Sequence, residues 1–467
     1  MPAPLATCLF VGFILTLLYR SAKRGGRSSV GLFVATIWFC LIGSKPAIYW
    51  LSGRDFEADL NVYLDGNPID RNLFVALIAW GILILTRRSI DWRTTWARNR
   101  MLGLFFVYLL ISVLWSDEPF VSFKRWIRAA GDVVMILLII TEQNPVDAIA
   151  KVYLRCAYVM IPLSVLMIKW YPDIGRYYGR WIWETHYCGV TTNKNSLGVL
   201  AMLSGLSLLW SILDGRKRAR WLARLQAAWA EVIVLAMCLW ILSIADSQSA
   251  LVGFGLGAVT LVVIRLRWVQ ARMGVMLWCG FGVALFMAAF TASPELRAAV
   301  TQVLHRDATL TCRTDIWDAV LHLQTDPLIG TGFASVWQTP GGRAVGEEWG
   351  IPHAHNGYLE TYLNCGLIGL GLLLAVIIVA GRRTLQQVAA GTAIGRFYAA
   401  LLLSGLVYNY TEATFNNNNI VGFSIWLTAV AIARREQVRG GSRDNAVDPP
   451  RHTGPVSRSE QRPLILE

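Results

Sequence analysis

Charge is the scarcest commodity in this sequence of 467 residues: 16% are Asp, Glu, Lys or Arg, against 55% hydrophobic. With a mean hydropathy of +0.46, that balance lies outside the range of ordinary soluble domains and marks an integral membrane protein. No Walker loop occurs, and no Rossmann glycine fingerprint follows a strand, so the common nucleotide cradles are missing. The eight cysteines are scattered singly, without Cys-x-x-Cys and without a Cys/His spacing suited to zinc. Cys8, Cys40, Cys156, Cys238, Cys279 and Cys365 sit in or beside apolar runs and read as small hydrophobic packing residues. Cys188 and Cys312 fall in loops assigned outside the cytoplasm, where a disulfide is open to them. There is no basic start ahead of the first apolar run, MPAPLATCLFVGFILTLLY; Arg20, Lys23, Arg24 and Arg27 follow it instead. That order predicts a first spanning helix with its start outside rather than a cleaved signal peptide. Neither a solenoid period nor the matched halves of a transporter can be found.

What is present is a succession of apolar runs. A span needs about 20 apolar residues, and on that template about thirteen candidates appear, those at 129–141 and 397–409 being the shortest. The sequence therefore predicts an all-α polytopic membrane protein with about 12–13 transmembrane helices. Lys and Arg outnumber Asp and Glu, 43 to 30. The basic residues lie in short clusters between apolar runs rather than on one face, which argues against nucleic acid as a partner and for an orientation signal. With the N-terminus outside, 27 of them fall in inward segments and 13 in outward ones. The two longest loops, 169–195 and 292–356, then share the outer side. Residues 1–433 form the transmembrane bundle, with the site on loop 292–356, and 434–467 has the composition of a disordered cytoplasmic tail.

The large loop reads CRTDIWDAVLHLQTDPLIGTGFASVW and later HAHNGYLETYLNCGLIGLGLLL. Ile316, Trp317, Val320, Leu321 and Leu323 recur at helical spacing from Thr314 to Gln324, an amphipathic helix ended by Asp326-Pro327. Gly330 and Gly332 permit a tight return to the bilayer. The combination of CRTDIWDAVL, DPLIGTGF and HAHNGYLETYLNCGLIGLGLL, together with ISVLWSDEPFVSFKRWIRAAGDVV and GVTTNKNSLGVLA upstream, resembles the O-antigen ligase and polysaccharide polymerase superfamily, in particular its exopolysaccharide-production branch of bacterial inner-membrane proteins. The resemblance covers most of residues 101–375.

The resemblance implies glycosyl transfer outside the cytoplasm, from a polyprenyl-pyrophosphate-linked saccharide donor to a saccharide acceptor, with no cofactor, metal or nucleotide sugar. It implies a helical bundle of the lipid-dependent (GT-C type) glycosyltransferase kind, lodged in the bacterial inner membrane and working with export and chain-length proteins. Polymerisation of repeat units is the leading expectation; ligation to lipid A core, or transport of the lipid-linked saccharide without chemistry, are the alternatives. The family's essential residues match Arg313, in RTDIW, and His355, in HNGYLE. Two departures stand out: Asn193 and Gln248 occupy positions where many relatives have a histidine and a basic residue.

Physical chemistry supports the same two residues. A departing pyrophosphate gathers negative charge, which a guanidinium fork stabilises bidentately. An imidazole at a helix N-terminus, where the dipole disfavours positive charge, suits a proton acceptor for a sugar hydroxyl. His353 reads as its neighbour, Asn356 as a helix cap and Glu360 as a group that holds an arginine or binds sugar hydroxyls. Arg176, Arg180 and Lys194, interleaved with Trp and Tyr in the loop 169–195, are candidate phosphate and sugar ligands, and His186 reads as structural. Lys45, beside Pro46 within a span, is an expensive charge and a further candidate. Residues 116–128, with Lys124 and Arg128, predict an interfacial helix.

Overall fold

The computed structural model describes residues 1–24, 28–52, 67–178, 184–214, 228–266, 313–416 and 418–441, with isolated positions between 268 and 295. Arg180, Cys279, Cys312, the expected span 274–291, the first part of loop 292–356 and the tail from 442 lie outside them.

In chain order the helices are α1 (Ala3–Arg24), α2 (Val30–Ile42), α3 (Ala47–Ser52), α4 (Pro68–Thr86), α5 (Trp92–Arg98), α6 (Arg100–Ser112), α7 (Pro119–Ile140), α8 (Pro145–Trp170) and α9 (Pro172–Gly175). A two-stranded antiparallel ribbon follows, β1 (Arg176–Tyr178) with β2 (Thr185–Tyr187). Then come α10 (Lys194–Asp214), α11 (Trp229–Ile244), α12 (Gln248–Val263), α13 (Arg313–Leu321), α14 (Pro340–Trp349), α15 (Gly357–Ala389), α16 (Ala393–Thr411) and α17 (Ile420–Gly441). The protein is thus an all-α polytopic membrane protein. Among the described residues, five helices are long and apolar enough to cross a bilayer: α1, α4, α8, α10 and α15. The pair α5 and α6 would be a sixth span, bent by 89° at its break. Shorter apolar helices, Val30–Ile42, Trp229–Ile244, Gln248–Val263 and Ile420–Val430, pack among them.

Several boundaries differ from the sequence expectation: the helix expected over Thr314–Gln324 ends at Leu321, and Lys45 lies between α2 and α3 rather than within a span. The interfacial helix 116–128 and the short span 129–141 are one continuous helix, α7, because nothing in RWIRAAGDVV breaks the i→i−4 ladder and Pro119 opens it where its missing N–H costs nothing. The last helix continues past Arg434, where the solvated tail is expected to begin, until the glycine pair Gly440-Gly441.

The bundle surrounds a core that α8 and α10 dominate, both largely buried. Glycines let its helices approach: a Cβ on Gly257 would meet Ser404 Oγ at 2.4 Å. In α15 the backbone breaks at Gly366, with φ 63°. The freed groups are taken up by the DPLIGTGF segment: Leu367 N donates to Pro327 O at 2.9 Å and Ile368 N to Leu328 O at 3.1 Å, while Asn364 O accepts from Gly332 N at 2.8 Å. The fully buried Asn364 adds its Oδ1, which accepts from Ser335 N and Val336 N at 2.7 and 3.0 Å. A broken helix survives at such depth only where protein groups satisfy its backbone. The two motifs therefore meet because each completes the other's hydrogen bonding, and the loop is pinned over one end of the bundle.

Candidate active site

A small second core fixes the loop. Ile316, Trp317 and Val320 of α13 pack with Val336, Trp337, Ala354 and Leu363, and the Trp317 indole N–H donates to Ala354 O at 2.9 Å. The apolar face seen in the sequence thus buries against the segment that carries His355, which ties Arg313, the first residue of α13, to that histidine across 42 positions of chain. Glu360 clamps the same segment from α15: Oε1 accepts from the Trp337 indole and Oε2 from Ala354 N, both at 2.8 Å. Asn356 is the N-cap of α15, its side chain accepting from Tyr358 N and Leu359 N. Between them His355 adopts φ 50°, a left-handed conformation that costs a non-glycine residue about 1–3 kcal/mol and that such a clamp can hold.

Arg313 and His355 converge on one carboxylate. Glu412, just past the end of α16, is 6% exposed. Its Oε1 accepts from Arg313 Nη2 and from Asn195 Nδ2, each at 2.7 Å, and its Oε2 lies 3.3 Å from His355 Nδ1. Gly357 N donates to Glu412 O at 3.1 Å. Gly357 also lets α15 meet α16, since a Cβ there would stand 2.3 Å from Asn409 Oδ1. Burial alone would raise the Glu412 carboxyl, but the charge and hydrogen bond of His355, with the Arg313 guanidinium, outweigh it and hold the group down to about 2. With Nδ1–H turned to this carboxylate, Nε2 is the ring nitrogen left to accept a proton. His353 stacks edge-on against His355 at 4.2 Å between ring centroids. Burial, and then the charges of His355 and Arg313, push it down to about 3, so it is a neutral neighbour at physiological pH.

His355, Glu360 and Glu412 line a cavity of about 590 Å³, together with Tyr408, Asn195 and Asn416. Lys45, Arg125 and Arg128 line it too, alongside the acidic Asp70. Lys45 Nζ donates to Ile174 O at 2.6 Å, and Arg125 Nη1 to Ala334 O at 2.5 Å. The Arg128 guanidinium lies 4.2 Å from the centre of the Phe74 ring. Arg176 and Lys194 are placed elsewhere. Arg176 Nε donates to Ile168 O and its guanidinium lies over Tyr187, while Lys194 forms an ion pair with Asp246 at 2.9 Å. His186 pairs within the ribbon against Tyr177. Cys188 is a buried free thiol whose S–H donates to Ile174 O at 3.5 Å.

His353, His355 and Glu412 each offer one donor atom, and these lie within 4.8 Å of one another, a set that could hold a divalent cation. The fixed Arg313 charge on the same carboxylate opposes a second cation there.

Sequence reading missed Glu412, Arg125 and Asn416. Glu412 had a usable signal, being the single charged residue between Arg396 and Arg434, since an ionisable group inside an apolar stretch is a functional candidate. Arg125 follows Lys124, which with Arg128 marks the charged residues of the helix expected over 116–128, and Asn416 is one of four consecutive asparagines with nothing in sequence to separate them.

Residues 232–374 match the family model described as O-antigen ligase. The exopolysaccharide production protein ExoQ of Rhizobium meliloti (strain 1021) is 25% identical over 334 residues, covering 66% of this chain and 70% of that protein. A putative polysaccharide ligase of Rickettsia felis is 24% identical over 363 residues, covering 72% and 83% respectively.

Proposed function

From the match of residues 232–374 to the family model described as O-antigen ligase, and the similarity of the chain to an exopolysaccharide production protein and a putative polysaccharide ligase, we propose that it polymerises polyprenyl-pyrophosphate-linked repeat units into exopolysaccharide at the periplasmic face of the bacterial inner membrane. The observation that carries this reading is the convergence of Arg313 and His355 on Glu412, at 2.7 and 3.3 Å, beside a cavity large enough for sugar rings.

An acceptor hydroxyl attacks the anomeric carbon of the donor. The bond from that carbon to the phosphate oxygen breaks, and the pyrophosphate leaves on its polyprenyl chain with the electron pair. The hydroxyl proton passes to His355 Nε2, and Glu412 stabilises the imidazolium from Nδ1. One N–H of the planar Arg313 group holds Glu412, leaving others to meet the charge that builds on the leaving group. The site requires no metal in this scheme, because the guanidinium supplies the positive charge. The periplasmic assignment rests on charge: the cavity lies where the loops poor in Lys and Arg come together, the side the positive-inside rule assigns outward. Transfer of a finished glycan to lipid A core is the second reading, favoured by the ligase names of the matching family and of the Rickettsia protein.

Purified protein supplied with a lipid-linked oligosaccharide in EDTA tests the proposal. A ladder of products supports polymerisation, a single addition to a lipid A core acceptor supports ligation, and activity restored only by a divalent cation refutes the metal-free scheme. In cells His355→Gln should accumulate unpolymerised units on the outer leaflet; accumulation on the cytoplasmic leaflet would instead indicate a transporter.

A further inference from the structure

The connection between α16 and α17 contains TFNNNN, residues 414–419, and its asparagines have different surroundings. Asn419 is a local structural residue: Oδ1 accepts from Val421 N and Gly422 N, and Nδ2 donates to Thr414 O at 3.0 Å. Asn418 Nδ2 donates to Arg128 O at 3.1 Å, but its Oδ1 is buried without a partner among the described residues. Asn416 is 8% exposed, and both Nδ2 and Oδ1 are buried with no partner among those residues. Folded proteins retain few such groups, because each forfeits its hydration and gains nothing in exchange. Asn416 and Asn418 both line the cavity that holds His355 and Glu412.

The chemistry of the orphaned group indicates what it receives. A carboxamide is neutral and presents a donor and an acceptor side by side in one plane, a match for two neighbouring ring hydroxyls. A phosphate, by contrast, calls for cations, which this cavity provides separately at Arg125, Arg128 and Lys45. The donor is already anchored by its lipid and its pyrophosphate. The far end of the acceptor has only hydroxyls by which to be oriented, and orientation of the attacking hydroxyl is a large part of such catalysis.

We propose that Asn416, assisted by Asn418 Oδ1, is the contact that binds the acceptor saccharide through adjacent ring hydroxyls beside His355. The inference rests on the glycosyl-transfer reading and adds to it a sugar-binding, specificity-determining position. Because Asn416 has no partner to lose among the described residues, Asn416→Leu should leave the thermal midpoint equal or higher. The KM for acceptor should rise at least tenfold, with kcat at saturation within threefold of wild type. Asn416→Ala serves as the second variant should leucine crowd the cavity. The direct measurement titrates the full-length protein, by intrinsic tryptophan fluorescence, with the oligosaccharide released by mild acid from the cell's own lipid-linked units. Wild type should bind it, and both Asn416 variants at least tenfold more weakly. Unchanged affinity in both variants, a lower midpoint in both, or no binding by wild type overturns the inference. Turnover that is present but indifferent to Asn416 removes the inference alone; Asn416-dependent binding with no glycosidic bond formed removes the transfer reading and leaves the sugar contact standing.

Discussion

Glu412→Gln is the most incisive perturbation, since it alters charge while nearly keeping shape. The amide oxygen can still accept from Arg313 and Asn195, as Oε1 does now at 2.7 Å from each. Its NH2 then takes the place of Oε2 and faces His355 Nδ1, at present 3.3 Å from a carboxylate oxygen. Two donors cannot share that contact, so the ring is driven to the tautomer with its proton on Nε2, the atom needed as base. A hydrogen bond involving a charged group contributes about 1.5–3 kcal/mol. Losing it therefore disfavours the productive tautomer by roughly 10- to 150-fold and withdraws the charge that steadies the imidazolium. Together these should lower kcat by about 10²–10⁴, the range general-base catalysis supplies, with a stability loss of about 1.5–3 kcal/mol. The assay is product formation from a lipid-linked oligosaccharide by protein in vesicles, paired with thermal unfolding in detergent. Glu412→Asp keeps the charge and should recover part of the rate. The double variant His355→Gln/Glu412→Gln should be no slower than His355→Gln alone, because the two residues act as one unit. A folded Glu412→Gln enzyme within threefold of wild type, or losses that multiply in the double variant, would refute the reasoning.

Arg313→Lys retains a cation for Glu412 but loses the planar fork, and kcat should fall about 10²–10³-fold with a small change in thermal midpoint; equal turnover by the two proteins counts against pyrophosphate contact. Gly366→Ala places a Cβ 2.1 Å from the Leu328 carbonyl at φ 63°. It should cost well over 1 kcal/mol and loosen the loop, read as a lower thermal midpoint with faster proteolysis between 326 and 356. His353 titrates near 3 when folded against an ordinary 6.5, so the unfolded chain takes up its proton first. Stability should therefore fall as pH drops from 6.5 toward 3, by up to about 1.4 kcal/mol per pH unit. Glu412, at about 2 against 4.5, adds a further loss as pH falls from 4.5 toward 2. His353→Asn should flatten the curve between pH 6.5 and 4.5; an unchanged slope in unfolding titrations would contradict the burial argument.

Much of the architecture was legible in the order of residues. The apolar runs imposed a helical membrane bundle, because that effect acts locally between a segment and its solvent. The cap at Asn356 was equally local and appears where the spacing placed it; the face of α13 holds for Ile316, Trp317 and Val320, but the helix ends at Leu321, which is exposed. The break at Gly366 was not legible. Glycine within an apolar helix is common, and only the arrival of Pro327 and Leu328 carbonyls from another part of the chain makes an interrupted ladder tolerable.

The site divides in the same way. The sequence by itself determined that Arg313 and His355 stand at helix starts in one loop system, since helix entry is written within a few residues. It also determined that the chain has no soluble-domain option, because its apolar content can be buried only in lipid or in other helices. Only the tertiary structure decided that Glu412 joins Arg313 to His355, that Arg176 and Lys194 hold other partners, and that Asn416 lines the cavity with a buried amide that has no partner among the described residues. Each of these depends on contacts between segments far apart in the chain, and neither periodicity nor composition records distance across a fold.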